Sequence, residues 1–443
     1  MRVVIDTTKN LIAKIIFLGI FVIILIGVIA YARGYRINFD EGTVTSTGIV
    51  SVSSSPKPAT VFINGELQGA TDINLTLPYG YYEVEVKKDG YTSWKKNISL
   101  KGEIVMSLDA HLFPKNPSLT PLTNLGIVKA IPMGNTDKIV LISETGDVEK
   151  DGIYLYESAK KTIAIFPPLN PLILKTIFPE DIDLSSAEIE FSPNYRQAIL
   201  TLKLLDENIS YLLSLEDLNE ELFDVTSSKE NILDAWNEEK NEEIAKVIET
   251  LPKEIVDVAT QTFQVISISP NEKRIMYRVK GDAVLPLVIN PPLIGANQTV
   301  EERNLKAGGI YIYDKKEDKN YRIPIEIEII EKEPVENTED LTASLDITPT
   351  PSTTVPLPTL WYPDVVEQVL EKIQWYPTSD YVAYKEDNHI VLMQYDGENK
   401  ETIYAGPFQQ NFFAIAPDWN LLVVINLNPQ INKYGDLYSI GIK

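Results

Sequence analysis

The chain has 443 residues, room for two or three domains, with 44% apolar and 23% charged residues, a balance that suits a sizeable folded core. Forty Lys and Arg against 63 Asp and Glu leave a formal charge of −23, which argues against a chain that neutralises phosphate backbones, so no nucleic-acid partner is expected. Cysteine is absent and His111 and His389 are the two histidines, so disulfides, thiolate nucleophiles and cysteine-held metals drop out, and a Ser-His-Asp triad has almost nothing to draw on.

From Ile15 to Ala30 the sequence reads IIFLGIFVIILIGVIA, and no charge appears until Arg33. As a helix, residues 15–32 extend about 27 Å, close to the hydrocarbon thickness of a bilayer, and Lys14 can snorkel to lengthen the span. A buried helix of a soluble protein seldom goes this long without a polar face. Arg2, Lys9 and Lys14 precede the run and Arg33 and Arg36 follow it, a small bias that favours the N-terminus inside. The expectation is a cytoplasmic tail over residues 1–14, a single transmembrane helix over 15–32 that makes the lipid bilayer a partner, and an extracytoplasmic bulk. The rival is a cleaved signal peptide, since Ala30-Tyr31-Ala32 is a cleavage-like triplet. The run is slightly long for that, and Arg33 just after the cut is unhelpful.

Residues 44–112 alternate strand-like runs with turn signals. Gly48–Val52 is β-rich, Ser53–Pro58 reads as a break, and Ala59–Ile63 resumes the strand before Asn64-Gly65, a type I′ hairpin signal because both residues tolerate positive φ. Ile73–Leu77 follows, then Tyr81–Val86 with period two, a turn at Asp89-Gly90, Tyr91–Leu100, and Ile104–Leu108. The run Ser55-Pro56, Ala59, Val61-Phe62-Ile63-Asn64-Gly65, Gly69, Thr71, Leu77-Pro78-Tyr79-Gly80-Tyr81, Val84-Glu85-Val86 and Gly90-Tyr91 resembles a PEGA domain. At the tetrapeptide that names that family, Pro78 and Gly80 are kept while Tyr79 and Tyr81 replace Glu and Ala. The resemblance implies a small β-sandwich of surface-exposed or membrane-anchored proteins and supplies no catalytic residues. Tyr79, Tyr81, Tyr82, Tyr91 and Trp94 read mainly as core and cross-strand packing in so small a domain.

Residues 113–443 carry a degenerate repeat. A proline-led turn precedes an apolar strand at Pro132, Pro193, Pro270, Pro377 and Pro417, and each is followed by a second strand such as Gly309–Asp314 or Ile390–Asp396. The closest pair, Pro377 and Pro417, are 40 residues apart, the length of one four-stranded blade. The longer spacings call for insertions. Residues 227–257 are helical in pattern, with Ser227 and Glu230 as a capping box and Pro252 ending or kinking the helix. Residues 331–364 form a Pro/Thr-rich loop, and 281–308 are irregular. This repeat resembles a TolB/WD40-type β-propeller of five blades, with a sixth conceivable from 113–127 plus a C-terminal strand. The expected fold class is therefore mainly β: an N-terminal transmembrane helix, a PEGA-like sandwich, then a five- to six-bladed propeller with a helical insertion.

Chemistry is sparse. Asp181-Ile182-Asp183 and Asp314-Lys315-Lys316-Glu317-Asp318 are the densest acidic groups, and both read as solvated turns without the further ligands of a calcium loop. His111, beside Leu112-Phe113, reads as a packed or exposed junction residue, and His389 as part of a β-turn. No catalytic, cofactor-binding or metal residue is assigned and no enzyme is expected. The function expected is that of a membrane-anchored extracytoplasmic binding or structural protein, its stalk presenting a propeller to a protein or envelope polymer. The alternatives are a carboxylate-dependent envelope glycan hydrolase and a purely structural spacer.

Overall fold

The structure, a computed structural model, describes residues 2–32, 35–38, 43–134, 136–158, 169–179, 182–204, 207–330, 358–409, 412–430 and 433–442. The chain divides into two compact units, Met1–Phe113 with Pro292–Thr299, and Pro114–Pro291 with Val300–Lys443. Most of the Pro/Thr-rich stretch, residues 331–357, lies outside the described residues, as does Asp181.

In the first unit, helix α1 (Arg2–Ala32) includes the apolar run. Its stretch Lys14–Ala32 has a mean hydropathy of 3.0 and no part of it is buried against protein. Eight strands follow: β1 (Tyr35–Asn38), β2 (Thr43–Ser55), β3 (Thr60–Ile63), β4 (Glu66–Ala70), β5 (Ile73–Pro78), β6 (Gly80–Lys87), β7 (Trp94–Leu100) and β8 (Val105–His111). They form two sheets. In one, β2 is flanked by β5 on one side and by β1 and a parallel β8 on the other; the second runs β4-β3-β6-β7. Alternation places Val50, Val52, Val84, Val86, Ile98, Met106 and Leu108 in one core with Trp94. Asn64 and Gly65 turn the β3–β4 hairpin with φ of 50° and 82°, the positive pair that a type I′ turn needs.

Two expectations fail here. Ser53–Ser55 do not break the strand; β8 pairs with them in register, down to His111 opposite Ser55, so the ladder overrides weak serine propensity. The aromatic group also divides. Trp94 is buried and Tyr82 half-buried, whereas Tyr79 and Tyr81 are 60% and 79% exposed, because Tyr81 falls on the outward phase of β6 and Tyr79 in the turn before it.

The second unit opens with β9 (Ser118–Pro121), then a four-stranded antiparallel sheet, β10 (Ile127–Pro132), β11 (Lys138–Ser143), β12 (Gly152–Glu157) and β13 (Leu169–Leu174). The second sheet is β14 (Glu188–Phe191), β15 (Gln197–Leu204), β16 (Glu207–Ser214) and β17 (Phe223–Asp224). Helices α2 (Lys229–Ile248) and α3 (Lys253–Thr262) come next. The third sheet, β18 (Phe263–Ile268), β19 (Arg274–Val279), β22 (Ile310–Asp314) and β23 (Lys319–Ile323), is interrupted by the two-stranded ribbon β20 (Ala283–Val284) and β21 (Asn304–Leu305). After α4 (Pro363–Leu370), the fourth sheet holds β24 (Ile373–Trp375), β25 (Tyr381–Glu386), β26 (His389–Gln394) and β27 (Glu401–Tyr404). The fifth is β28 (Phe413–Ile415), β29 (Leu421–Ile425) and β30 (Asp436–Gly441), completed by β9.

The inner strands are buried almost throughout, as in β12, β22 and β29, so both faces of these strands are covered by protein. Sheets one and two share one core, three and four another, and five and one a third. Among the described residues these five four-stranded sheets form a propeller-like arrangement. Residues 113–127 do meet the C-terminal strand, through Ile440 opposite Leu119, but β9 closes the fifth blade and founds no sixth. The helical insert departs from the capping box. A 3₁₀ turn over Thr226–Ser228 runs straight into α2, so its N-cap is Ser228, which makes no side-chain cap bond. Pro252 stands as the N-cap residue of α3.

Candidate functional site

The five proline-led turns are one device built five times. The first residue of each (Met133, Ser192, Ser269, Tyr376, Ala416) accepts a bond from the N–H three positions on, at 2.8–3.1 Å, and donates its own N–H to the next strand at 2.9–3.1 Å. In four copies proline fixes φ at the second position, and an Asn, Thr or Asp follows. Its side-chain oxygen accepts from the N–H two residues on: Asn194 from Arg196 at 3.0 Å, Asn271 from Lys273 at 3.1 Å, Asp418 from Asn420 at 3.3 Å. The fourth residue is left-handed in all four, Tyr195 at 55°, Glu272 at 58°, Ser379 at 67° and Trp419 at 74°. The first copy differs: Pro132 ends β10, and Gly134 takes the positive φ at 54°.

These turns touch one another. Asn271 N–H donates to Ser379 Oγ at 3.0 Å, and Tyr376 Oη donates to the Trp419 carbonyl at 3.3 Å. Gly134 lies directly under the Tyr195 hydroxyl, where a Cβ would have no room. The first and fifth turns share a shallow dent with Gln374, lined by Gly134, Thr136 and Ala416. The turns therefore form an arc in the order three, four, five, one, two. Near its open end stands α2, whose Glu243, after burial, adds to the upward shift of the Tyr195 hydroxyl pKa. Asn194, Asn271, Glu272 and Asp418 face solvent along this arc, with Tyr195 and Trp419 half-exposed. Amide, carboxylate and aromatic edges in that arrangement suit hydrogen bonding to, and stacking on, a polar partner.

The acidic run 314–318 is not solvated. Asp314 and Asp318 are 3% and 2% exposed, while Lys316 between them is exposed and Lys315 half-buried. Asp314 pairs with Arg274 Nε at 2.9 Å and accepts the N–H groups of Lys316 and Glu317 at 3.0 Å each. Arg274 also donates to the Ser379 carbonyl at 2.7 Å and stacks its guanidinium 3.5 Å from the Tyr395 ring centre, which ties the third blade to the fourth. Asp318 accepts from Val288 N–H at 2.7 Å and from Ile289 N–H at 2.8 Å, and meets Arg303 at 3.2 Å. Each carboxylate is thus neutralised and fully bonded, a structural rather than a reactive arrangement. Tyr313-Asp314 and Tyr395-Asp396 stand among the repeated strand runs of the sequence, and what the sequence does not show is that Asp314 turns inward there.

Asp183 caps a 3₁₀ turn through Ser185 N–H. His389 is the first residue of β26, opposite Glu386, and the turn itself is Asp387-Asn388. His111 ends β8 with its ring 5.1 Å from that of Phe113; burial lowers its pKa to about 4 against a smaller upward pull from Asp109. Among the described residues no cluster of three or more metal-ligating side chains occurs.

The PEGA domain family matches residues 47–116, the sandwich described above. No curated protein matches the chain. Solved structures that are similar include a putative TolB from Agrobacterium tumefaciens, at 11% identity over 87% of this chain and 99% of that one, TM-score 0.18. The Dos1 propeller, at 9% identity, covers 93% and 83% with a TM-score of 0.18. Kluyveromyces lactis Hsv2, at 6%, covers 90% and 98% with a TM-score of 0.17. The blade assignment rests on strand pairing and shared cores.

Proposed function

We propose that the protein is held in a membrane by α1 and displays its PEGA domain and propeller on the outer side, where the propeller binds a protein or envelope polymer. The observation that carries the reading is the uncovered helix. Ile15 to Tyr31 includes Phe17 at 74% and Ile23 at 70% exposure, a continuous apolar surface that a folded chain does not leave in water. The partner-binding face is the arc of turns. Its exposed amides and acids select a polar, hydrogen-bonding partner.

The reading is tested in intact cells. External protease is expected to digest the bulk of the chain and to leave a membrane-held fragment containing residues 15–32. Washed envelope polymer or a surface partner is then offered to the full chain and to an Asn271→Ala/Asp418→Ala variant, with a several-fold loss of binding expected. A chain untouched by external protease sinks the display reading. Binding that the arc substitutions leave unchanged sinks the assignment of the face.

A further inference from the structure

The β5–β6 turn carries two tyrosines that the sandwich core does not claim. Tyr79 is 60% and Tyr81 79% exposed, while the next residue, Tyr82, turns its hydroxyl back to the Pro78 carbonyl at 2.9 Å. Two large rings held in solvent one residue apart in the chain are an uncommon feature of so small a domain, and their place in the fold is specific. Tyr79 N–H donates to the Ser46 carbonyl at 3.0 Å. Ser46 is the register partner of Tyr35, and Tyr35 stands three residues after Ala32, where α1 ends. Three residues span at most about 10 Å, and the two strand spacings from the β5–β6 turn across β2 to β1 add about 10 Å. The turn is therefore tied close to the end of the apolar helix.

The β7–β8 connection lies at the same end, since Glu103 N–H donates to the Thr47 carbonyl at 3.0 Å. It presents exposed Lys101 beside exposed Glu103. Tyr31, 66% exposed in the last turn of α1, and Tyr35, 38% exposed, add two further rings. Tyrosine is enriched at the headgroup level of membranes, where the ring is shielded and the hydroxyl stays wet.

We infer that this end of the sandwich is a lipid-contact surface: Tyr79 and Tyr81 sit among the headgroups of the bilayer that α1 spans, and with Tyr31 and Tyr35 form an aromatic collar. The inference rests on α1 being an uncleaved anchor. Lys101 and Glu103 offset each other, so the contact is with the headgroup–acyl boundary itself and does not need anionic lipid.

The chain has no cysteine, so a single engineered thiol reports without background. Full-length Lys101→Cys carrying an environment-sensitive fluorophore is reconstituted into phosphatidylcholine vesicles containing a headgroup-region quencher. The control is Asp89→Cys, at the far end of β6 and about 25 Å away. Quenching at position 101 is expected to exceed that at 89 by roughly threefold or more. Adding Tyr79→Ser and Tyr81→Ser is expected to bring position 101 down to the level of 89 without moving the thermal transition. A label at 101 as wet as that at 89, in protein that resists carbonate extraction, overturns the inference alone, as does quenching indifferent to the two serines. Protein released by carbonate overturns the anchor and the collar together.

Discussion

At the scale of single residues, charge burial sets the sharpest constraints. Arg274 is 8% exposed, and its guanidinium is shared among Asp314, the Ser379 carbonyl, Asp380 and the Tyr395 ring. Removing one partner of a buried pair leaves the other charge unsolvated, so Arg274→Ala is expected to cost about 3–5 kcal/mol. Arg274→Met with Asp314→Asn should recover most of that loss, because no bare charge remains; the midpoints of denaturant unfolding read both. A double variant no more stable than Arg274→Ala would mean the cost arises from packing alone. His111 supplies a pH dependence of definite sign. Above pH 6.5 the imidazole is neutral folded or unfolded. As pH falls from 6.5 toward its folded value of about 4, the unfolded chain takes up a proton that the half-buried ring resists, and stability drops. The penalty reaches at most about 3 kcal/mol near pH 4, from 1.36 kcal/mol per unit. His111→Gln should flatten that part of the profile, measured as unfolding free energy against pH for both chains; identical slopes would refute the assignment.

Among the elements, the edges of the small sandwich show how a sheet is finished. β7 is an edge strand, and edge amides invite pairing with foreign strands. In the same unit the segment Pro292–Thr299 supplies Gln298. Its side-chain amide accepts from Ser99 N–H at 2.5 Å and donates to the Ser99 carbonyl at 2.9 Å, occupying both groups as a neighbouring strand would. Lys96 Nζ adds a bond to Thr299 Oγ1 at 3.2 Å. Gln298→Ala should speed hydrogen exchange at Ser99 by roughly tenfold while changing global stability by less than about 1 kcal/mol. Exchange unaltered at that amide would show that other groups shield the edge. Elements of this kind were only partly legible in the sequence. Asn64-Gly65 and the Ser-Pro-Asn turns declare themselves because local φ preferences alone select them. The Gln298 clasp does not, since its partner lies 199 positions away. The inward turn of Asp314 and Asp318 was equally hidden. Flanking lysines make the run look solvated, and only the arginines that β19 and the inserted ribbon bring alongside reverse that. The period-two alternation of Tyr81–Val86 did place Tyr81 on the outward phase, and only Tyr79, in the turn, lacked such a cue.

For the whole molecule, the governing feature is the pairing of β9 with β30. Replacing Ser118–Pro121 by a Gly-Ser tract should open the fifth blade and lower the unfolding transition of the large unit, leaving that of the PEGA domain in place. Two resolved calorimetric transitions, one of them unmoved, would be the signature; a common shift of both would show that the units unfold as one. The repeated blades were readable from the proline turns, and so was a meeting of residues 113–127 with a C-terminal strand; that β9 completes the fifth blade instead of founding a sixth was not, because β9 is short and weakly patterned. Leu119 and Ile440 must find each other across more than three hundred residues, so the order in which the ribosome delivers the polypeptide acquires structural meaning. Each of the first four blades can assemble as it emerges, but the fifth waits for residues around 440 to appear. Until then β9 remains an unclaimed edge, open to quality-control proteases or to pairing with another nascent copy. The strands from Phe413 to Gly441 thereby decide whether β9, delivered long before them, ever becomes part of a sheet.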